Sequence, residues 1–75
     1  MEQVLEILQE VKPTLDFEVE KALIDDALLD SFDIISIVNE LNDAFDIEIT
    51  VANLLPENFN SAEAIWALVQ ELQEA

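Results

Sequence analysis

Apolar residues recur at helical spacing in three stretches of the chain. In the first, Val4, Ile7, Leu8 and Val11 fall at i, i+3, i+4 and i+7, with Glu2, Glu6, Gln9 and Glu10 on the other faces. That arrangement predicts a helix laid against a core. Pro13 ends it, because the residue before a proline is pushed out of the helical region. The second stretch begins at Ser31 and runs to about Phe45, with Ile34, Ile37, Val38, Leu41 and Phe45 on one face. Ser31 reads as its N-cap, the hydroxyl accepting from a free N–H of the first turn, and Asp33 suits the positive end of the helix dipole. The third begins near Ser61, its expected cap, with Glu63 in the first turn and a stripe of Ile65, Leu68, Val69 and Leu72. Trp66 falls off that stripe and is expected to be half exposed.

The connections carry weaker patterns. Residues 12–30 form a long loop whose apolar anchors are Leu15, Phe17, Val19, Leu23, Ile24, Leu28 and Leu29. A loop of that length in a small domain is often functional. Asp46-Ile47-Glu48-Ile49-Thr50-Val51 alternates like a strand, but a lone strand has no partner, so an extended linker with buried isoleucines is expected. A one- or two-turn helix across Val51–Leu55 follows, capped by Thr50 and closed by Pro56. The expected fold is all-α, a small bundle of three main helices plus one short helix, with residues 1–75 as one domain. There is no glycine for tight turns, and Asn39, Asn42, Asn53, Asn58 and Asn60 are available for some of those roles.

Charge changes this picture. Eighteen Asp and Glu stand against two Lys and Arg, for a net charge of -16. Nucleic acid and anionic lipid both repel such a surface, while partners with basic patches are steered toward it. A disordered acidic segment is not the reading, since 52% of the residues are apolar and they are patterned. No apolar run approaches the roughly 20 residues needed to span a bilayer, and the acidic start is unlike a secretory signal. The expected setting is cytoplasmic, without membrane insertion, and the expected state is a monomer.

Composition also removes most catalytic chemistry. Without histidine there is no Ser-His-Asp arrangement, and without cysteine there is no thiolate nucleophile or sulfur-bound zinc. A bundle this small has no deep cleft to hold two carboxylates at fixed separation. A calcium loop starting at Asp25 or Asp30 places Ala27 or Phe32 where an oxygen ligand is required. No enzyme is expected.

Leu28-Leu29-Asp30-Ser31-Phe32-Asp33 stands out. A serine there is most simply a helix cap. Yet Phe32, Ile35, Ser36 and Asn39 make a second i, i+3, i+4, i+7 strip beside it, ringed by Asp30, Asp33, Glu40 and Asp43. An apolar patch with an acidic rim fits docking onto a pocket with a basic margin.

At these residues the chain resembles the acyl carrier protein family. Asp30-Ser31-Phe32 is similar to that family's Asp-Ser-Leu signature. Ile37-Val38-Asn39-Glu40-Leu41 and Phe45-Asp46-Ile47-Glu48-Ile49 resemble its second helix and the segment leaving it. The resemblance implies that Ser31 takes a covalent 4'-phosphopantetheine arm from coenzyme A, with Asp30 as the neighbour recognised by the phosphopantetheinyl transferase. It implies that Phe32, Ile35 and Asn39 dock partners, with Asp33, Glu40 and Asp43 making charge contacts. The cargo would be an acyl or aminoacyl group held as a thioester. An activating ligase would load it, and downstream transferases or synthases with basic docking patches would receive it. Fatty acid synthesis, polyketide or peptide assembly and D-alanine transfer all use such a module, so the cargo stays open, with the Leu-Leu-Asp-Ser resemblance leaning toward a specialised aminoacyl or secondary-metabolism role. Leu28-Leu29-Asp30-Ser31 is similar to the Gly-Leu-Leu-Asp-Ser form of D-alanyl and some stand-alone peptidyl carriers, with Ala27 in the glycine's place. If that position needs positive φ, alanine costs on the order of 1 kcal/mol there. A hollow between helices lined by Ile34, Val38, Ile49 and Leu54 would shelter an acyl chain. The alternative is an arm-less carrier-like scaffold or regulatory subunit docking a basic partner through the second helix. On that reading Ser31→Ala keeps function while Ile35→Glu abolishes it.

Overall fold

The computed structural model describes residues 2–74. Helix α1 spans Glu2–Val11, α2 Ser31–Phe45, α3 Pro56–Phe59 and α4 Ala62–Glu74, with a 3-10 turn at Val51–Asn53. α1 buries Val4, Ile7 and Leu8, α2 buries Ile37 and Leu41, and α4 buries Ala62, Ile65, Leu68 and Val69. These are the faces set by the apolar spacing. Ser61 Oγ accepts from the Ala64 N–H and caps α4 as expected. Trp66 is half-buried, its ring 6.1 Å from that of Phe45.

Among the described residues, the three long helices supply nine of the fourteen buried apolar residues; Phe17, Leu23, Leu29, Ile49 and Phe59 come from the connections and α3. Burying one such side chain is worth about 1.5–3 kcal/mol, so Phe17, Leu23 and Leu29 fasten the 12–30 loop to the core. Val19 is the exception among the expected anchors, 65% exposed in the turn at residues 17–19. Its neighbours Glu18 and Glu20 keep that turn at the surface. Ile49 is buried and Ile47 half-buried in the extended linker.

Two local expectations are corrected. The N-cap of α2 is Asp30, not Ser31. The Asp30 carboxylate accepts from the Asp33 N–H (2.9 Å) while Asp33 Oδ2 accepts from the Asp30 N–H (3.3 Å), a reciprocal capping box. Aspartate wins because its partner three residues on completes the box, which serine at position 31 lacks. The short helix is also displaced. Residues Val51–Asn53 form only the 3-10 turn, where Asn53 Oδ1 accepts from the Thr50 N–H and hydroxyl. Pro56 opens α3 rather than closing a helix, since its fixed φ and missing N–H suit a first helical position.

The asparagines do not take the left-handed positions. Those fall to Ala27 (φ 56°) and Asp46 (φ 53°), the latter the C-cap of α2. The asparagine side chains tie loops down instead. Asn42 Oδ1 accepts from the Ile49 N–H, and Asn58 Nδ2 donates to the Asn53 carbonyl.

Candidate functional site

Ser31 is the first helical residue of α2 and is exposed. With Asp30 as cap, its hydroxyl is not committed to closing the helix end. The first N–H groups of any α-helix lack an intrahelical acceptor. Asp30 satisfies that of Asp33, which leaves the N–H groups of Ser31 and Phe32 beside the serine oxygen. An anionic substituent on that oxygen would meet these donors and the positive end of the helix dipole. The site therefore fits a phosphate ester.

Successive residues turn by about 100° around the helix, so Ser31, Phe32, Ile35, Ser36, Asn39, Glu40 and Asp43 share one side of α2, away from Ile37 and Leu41. All seven are exposed. Phe32 is 82% and Ile35 57% accessible, values a core-facing residue does not have. Asp30 is exposed as well. Asp33 differs from the others: its side chain is only 15% accessible and its carboxylate is already engaged.

Lys12, just past α1, reaches across to Asp33, with Nζ 2.9 Å from Oδ2. The Lys12 hydrogen bond holds the Asp33 carboxyl below its ordinary value, assisted by the capping contacts to Asp30. The same hydrogen bond and the Asp33 charge hold the Lys12 ammonium above its own. Lys21 pairs with Glu63 at 2.6 Å. Both lysines are thus already partnered, and among the described residues the exposed carboxylates around α2 have no cation beside them.

A shallow depression of about 350 Å³ lies between α1 and α2, lined by Glu10, Val11, Phe32, Asp33, Ser36 and Glu40. A smaller apolar hollow of about 70 Å³ is lined by Ile24, Ile34, Leu54, Leu55, Pro56 and Phe59. Of the four expected lining residues Ile34 and Leu54 are there, while Val38 and Ile49 pack elsewhere. Sequence reasoning missed the exposed cluster of Val51, Leu54 and Leu55 beside this hollow, having placed them in a helix. It also missed the pairing of Lys12. The signal was the scarcity of cations, which makes each one a candidate for a specific bond. Among the described residues no cluster of His, Cys, Asp and Glu is arranged to hold a metal ion, and no helix is long and apolar enough to cross a membrane.

Comparison with known proteins shows the family. Residues 2–69 match the family described as "Phosphopantetheine attachment site". The chain is 33% identical over 75 residues to a D-alanyl carrier protein of Lactococcus lactis subsp. lactis (strain IL1403), covering 97% of this chain and 95% of that one. It is likewise 33% identical over 72 residues to a D-alanyl carrier protein of Lactococcus lactis subsp. cremoris (strain MG1363), covering 93% and 91%.

Proposed function

This chain belongs to the phosphopantetheine attachment family, and from that premise we propose that Ser31 carries the arm and that the cargo is a small aminoacyl group of the D-alanyl type. When attached, 4'-phosphopantetheine supplies the thiol on which such a group is held as a thioester. The observation that carries the assignment is the exposed Ser31 hydroxyl at the first position of α2, freed from capping by Asp30.

In the loading step the serine oxygen forms a new bond to phosphorus. The pyrophosphate bond of coenzyme A breaks and its nucleotide half leaves as a bisphosphate. The chain has no histidine to take the serine proton. That proton therefore passes to a base on the phosphopantetheinyl transferase. The same lack of a base or thiolate argues that the protein has no catalytic activity of its own. Its residues present and address the arm. The N–H groups of Ser31 and Phe32 hold the phosphate end. Phe32, Ile35 and Asn39 meet an apolar pocket on the partner, and Asp30, Glu40 and Asp43 meet its basic margin. Asp33 acts from within the helix end, through its bonds to Asp30 and Lys12. The partners are then the transferase, an aminoacyl-activating ligase and a downstream acceptor enzyme, and the setting is the cytoplasm, where the protein works as a monomer.

Two observations support a small cargo. The relatives that match over nearly the whole chain are D-alanyl carriers. The apolar hollow is small, at about 70 Å³. The D-alanyl carrier relatives favour aminoacyl transfer over fatty acid synthesis or secondary metabolism.

Co-expression with a broad-specificity phosphopantetheinyl transferase, followed by intact mass, tests the attachment. The protein should gain one arm and Ser31→Ala should gain none. Loaded protein offered ATP and a D-alanine-activating ligase, or a fatty acyl ligase with its acid, should accept only the amino acid. Mass gain in Ser31→Ala, or preferential loading with the fatty acid, would overturn the corresponding half of the reading.

A further inference from the structure

Asn60, between α3 and α4, gathers three consecutive N–H groups of the distant 12–30 loop. Its carbonyl accepts from Leu23 (2.9 Å), and its side-chain Oδ1 accepts from Ile24 (3.0 Å) and Asp25 (3.1 Å). Its Nδ2 donates back to Asp25 Oδ2 (3.2 Å). Three successive donors without an acceptor of their own are what the start of a helical turn presents. Asn60 thus caps that turn from outside.

The other end of the turn is closed by its own backbone. The Leu28 N–H donates to the Leu23 carbonyl (2.8 Å) and the Ala27 N–H to the Ile24 carbonyl (3.0 Å), with Ala27 left-handed between them. This is a Schellman closure, whose left-handed position normally holds glycine. The Leu29 N–H also donates to the Leu23 carbonyl (3.2 Å), and Leu29 then enters the core. The next two residues are Asp30, the cap of α2, and Ser31. A left-handed alanine is unfavourable and persists only where its surroundings over-determine it. Here the surroundings are Asn60 at one end and buried Leu23 and Leu29 within.

We infer that Asn60 is a positioning residue for the attachment serine, acting through the 22–29 turn, an inference that rests on Ser31 being the site of the arm. Loss of its side chain frees the Ile24 and Asp25 donors and lets Ala27 leave the left-handed region. The chain leading into Asp30-Ser31 then loosens while α2 itself stays intact.

The test compares wild type, Asn60→Ala, Asn60→Asp and the exchanged pair Asp25→Asn/Asn60→Asp. The single Asn60→Asp sets two carboxylates against each other, whereas the pair restores the hydrogen bond with its polarity reversed and adds no charge. Two readouts are taken: amide hydrogen exchange of Leu28 and Leu29, and kcat/KM for arm transfer by a phosphopantetheinyl transferase. Both single variants should exchange Leu28 and Leu29 about tenfold faster and load about tenfold more slowly, with the Ile37 and Leu41 amides unchanged. The pair should restore both. If the singles load like wild type, or if Ile37 and Leu41 accelerate in step with Leu28, Asn60 has no positioning role although the attachment stands. If wild type itself takes no arm, the attachment reading falls and this inference with it.

Discussion

Lys12 and Asp33 join the end of α1 to the first turn of α2 through an ion pair of 2.9 Å. Asp33 also closes the capping box that starts α2, so one carboxylate holds both the helix end and the neighbouring helix. Its carboxyl is held below the ordinary 3.8 by the Lys12 hydrogen bond. The resulting stability is present above pH 3.8 and is lost as pH falls through the lowered value. Lys12 is held above its ordinary 10.5, so its contribution is present below pH 10.5 and lost as pH rises through the raised value. Urea melts of wild type and Lys12→Gln should therefore differ by a constant amount between about pH 5 and 9, with the difference shrinking on either side. A difference still undiminished at about pH 2 would show that the pair contributes nothing through its charge.

Ala27→Gly should raise stability. A left-handed alanine costs about 1–2 kcal/mol, against about 0.5–1 kcal/mol for the extra freedom of an unfolded glycine, leaving roughly 0.5–1 kcal/mol. For a domain of this size that raises Tm by a few degrees. Ala27→Val, β-branched at φ 56°, should lower it by more. Thermal melts decide both, and an unstable Ala27→Gly would mean that the turn does not hold its left-handed residue in solution.

Much of this architecture is legible in the sequence, for identifiable reasons. α1, α2 and α4 follow from apolar spacing because each buries one continuous face on the same core. The exposed strip of Phe32 and Ile35 is legible as well, since two large apolar residues sit off the stripe that fills the core. The cap of α2 is a closer contest. Asp30 and Ser31 both suit the position, and the deciding feature, Asp33 three residues after Asp30, is present in the sequence but easily assigned to the helix dipole instead. Pro56 is ambiguous in the same way, since a proline both ends one helix and begins another. The bonds from Lys12 to Asp33 and from the Ile24 N–H to Asn60 are of a different kind. They link residues far apart in the chain, and no local periodicity encodes them.

Added salt should stabilise the protein. The net charge is -16 and both lysines are already paired, so the remaining carboxylates repel one another across the whole molecule. Its longest dimension is 31 Å, close to the screening length of about 30 Å at 0.01 M salt and well above the roughly 10 Å at 0.1 M. The urea midpoint should rise between those two concentrations. A midpoint that falls would mean that the two ion pairs outweigh the repulsion.

Phe32 and Ile37 lie in the same helix and should respond oppositely to truncation. Ile37 is wholly buried, and Ile37→Ala should cost about 2–5 kcal/mol. That is a large share of the roughly 4–11 kcal/mol available to a chain of 75 residues. Phe32 is 82% exposed, so Phe32→Ala should stay within about 0.5 kcal/mol of wild type in urea unfolding. An exposed phenylalanine that folding does not need should register in partner binding instead. Phe32→Ala and Ile35→Glu are expected to slow arm transfer by the transferase while leaving the melting curve of Phe32→Ala unchanged. If Phe32→Ala destabilises the fold by as much as Ile37→Ala, the ring packs against the protein in solution and the exposed face of α2 is not the docking surface. If stability and arm transfer are both untouched, the strip serves neither folding nor the transferase, and the docking assignment for α2 fails.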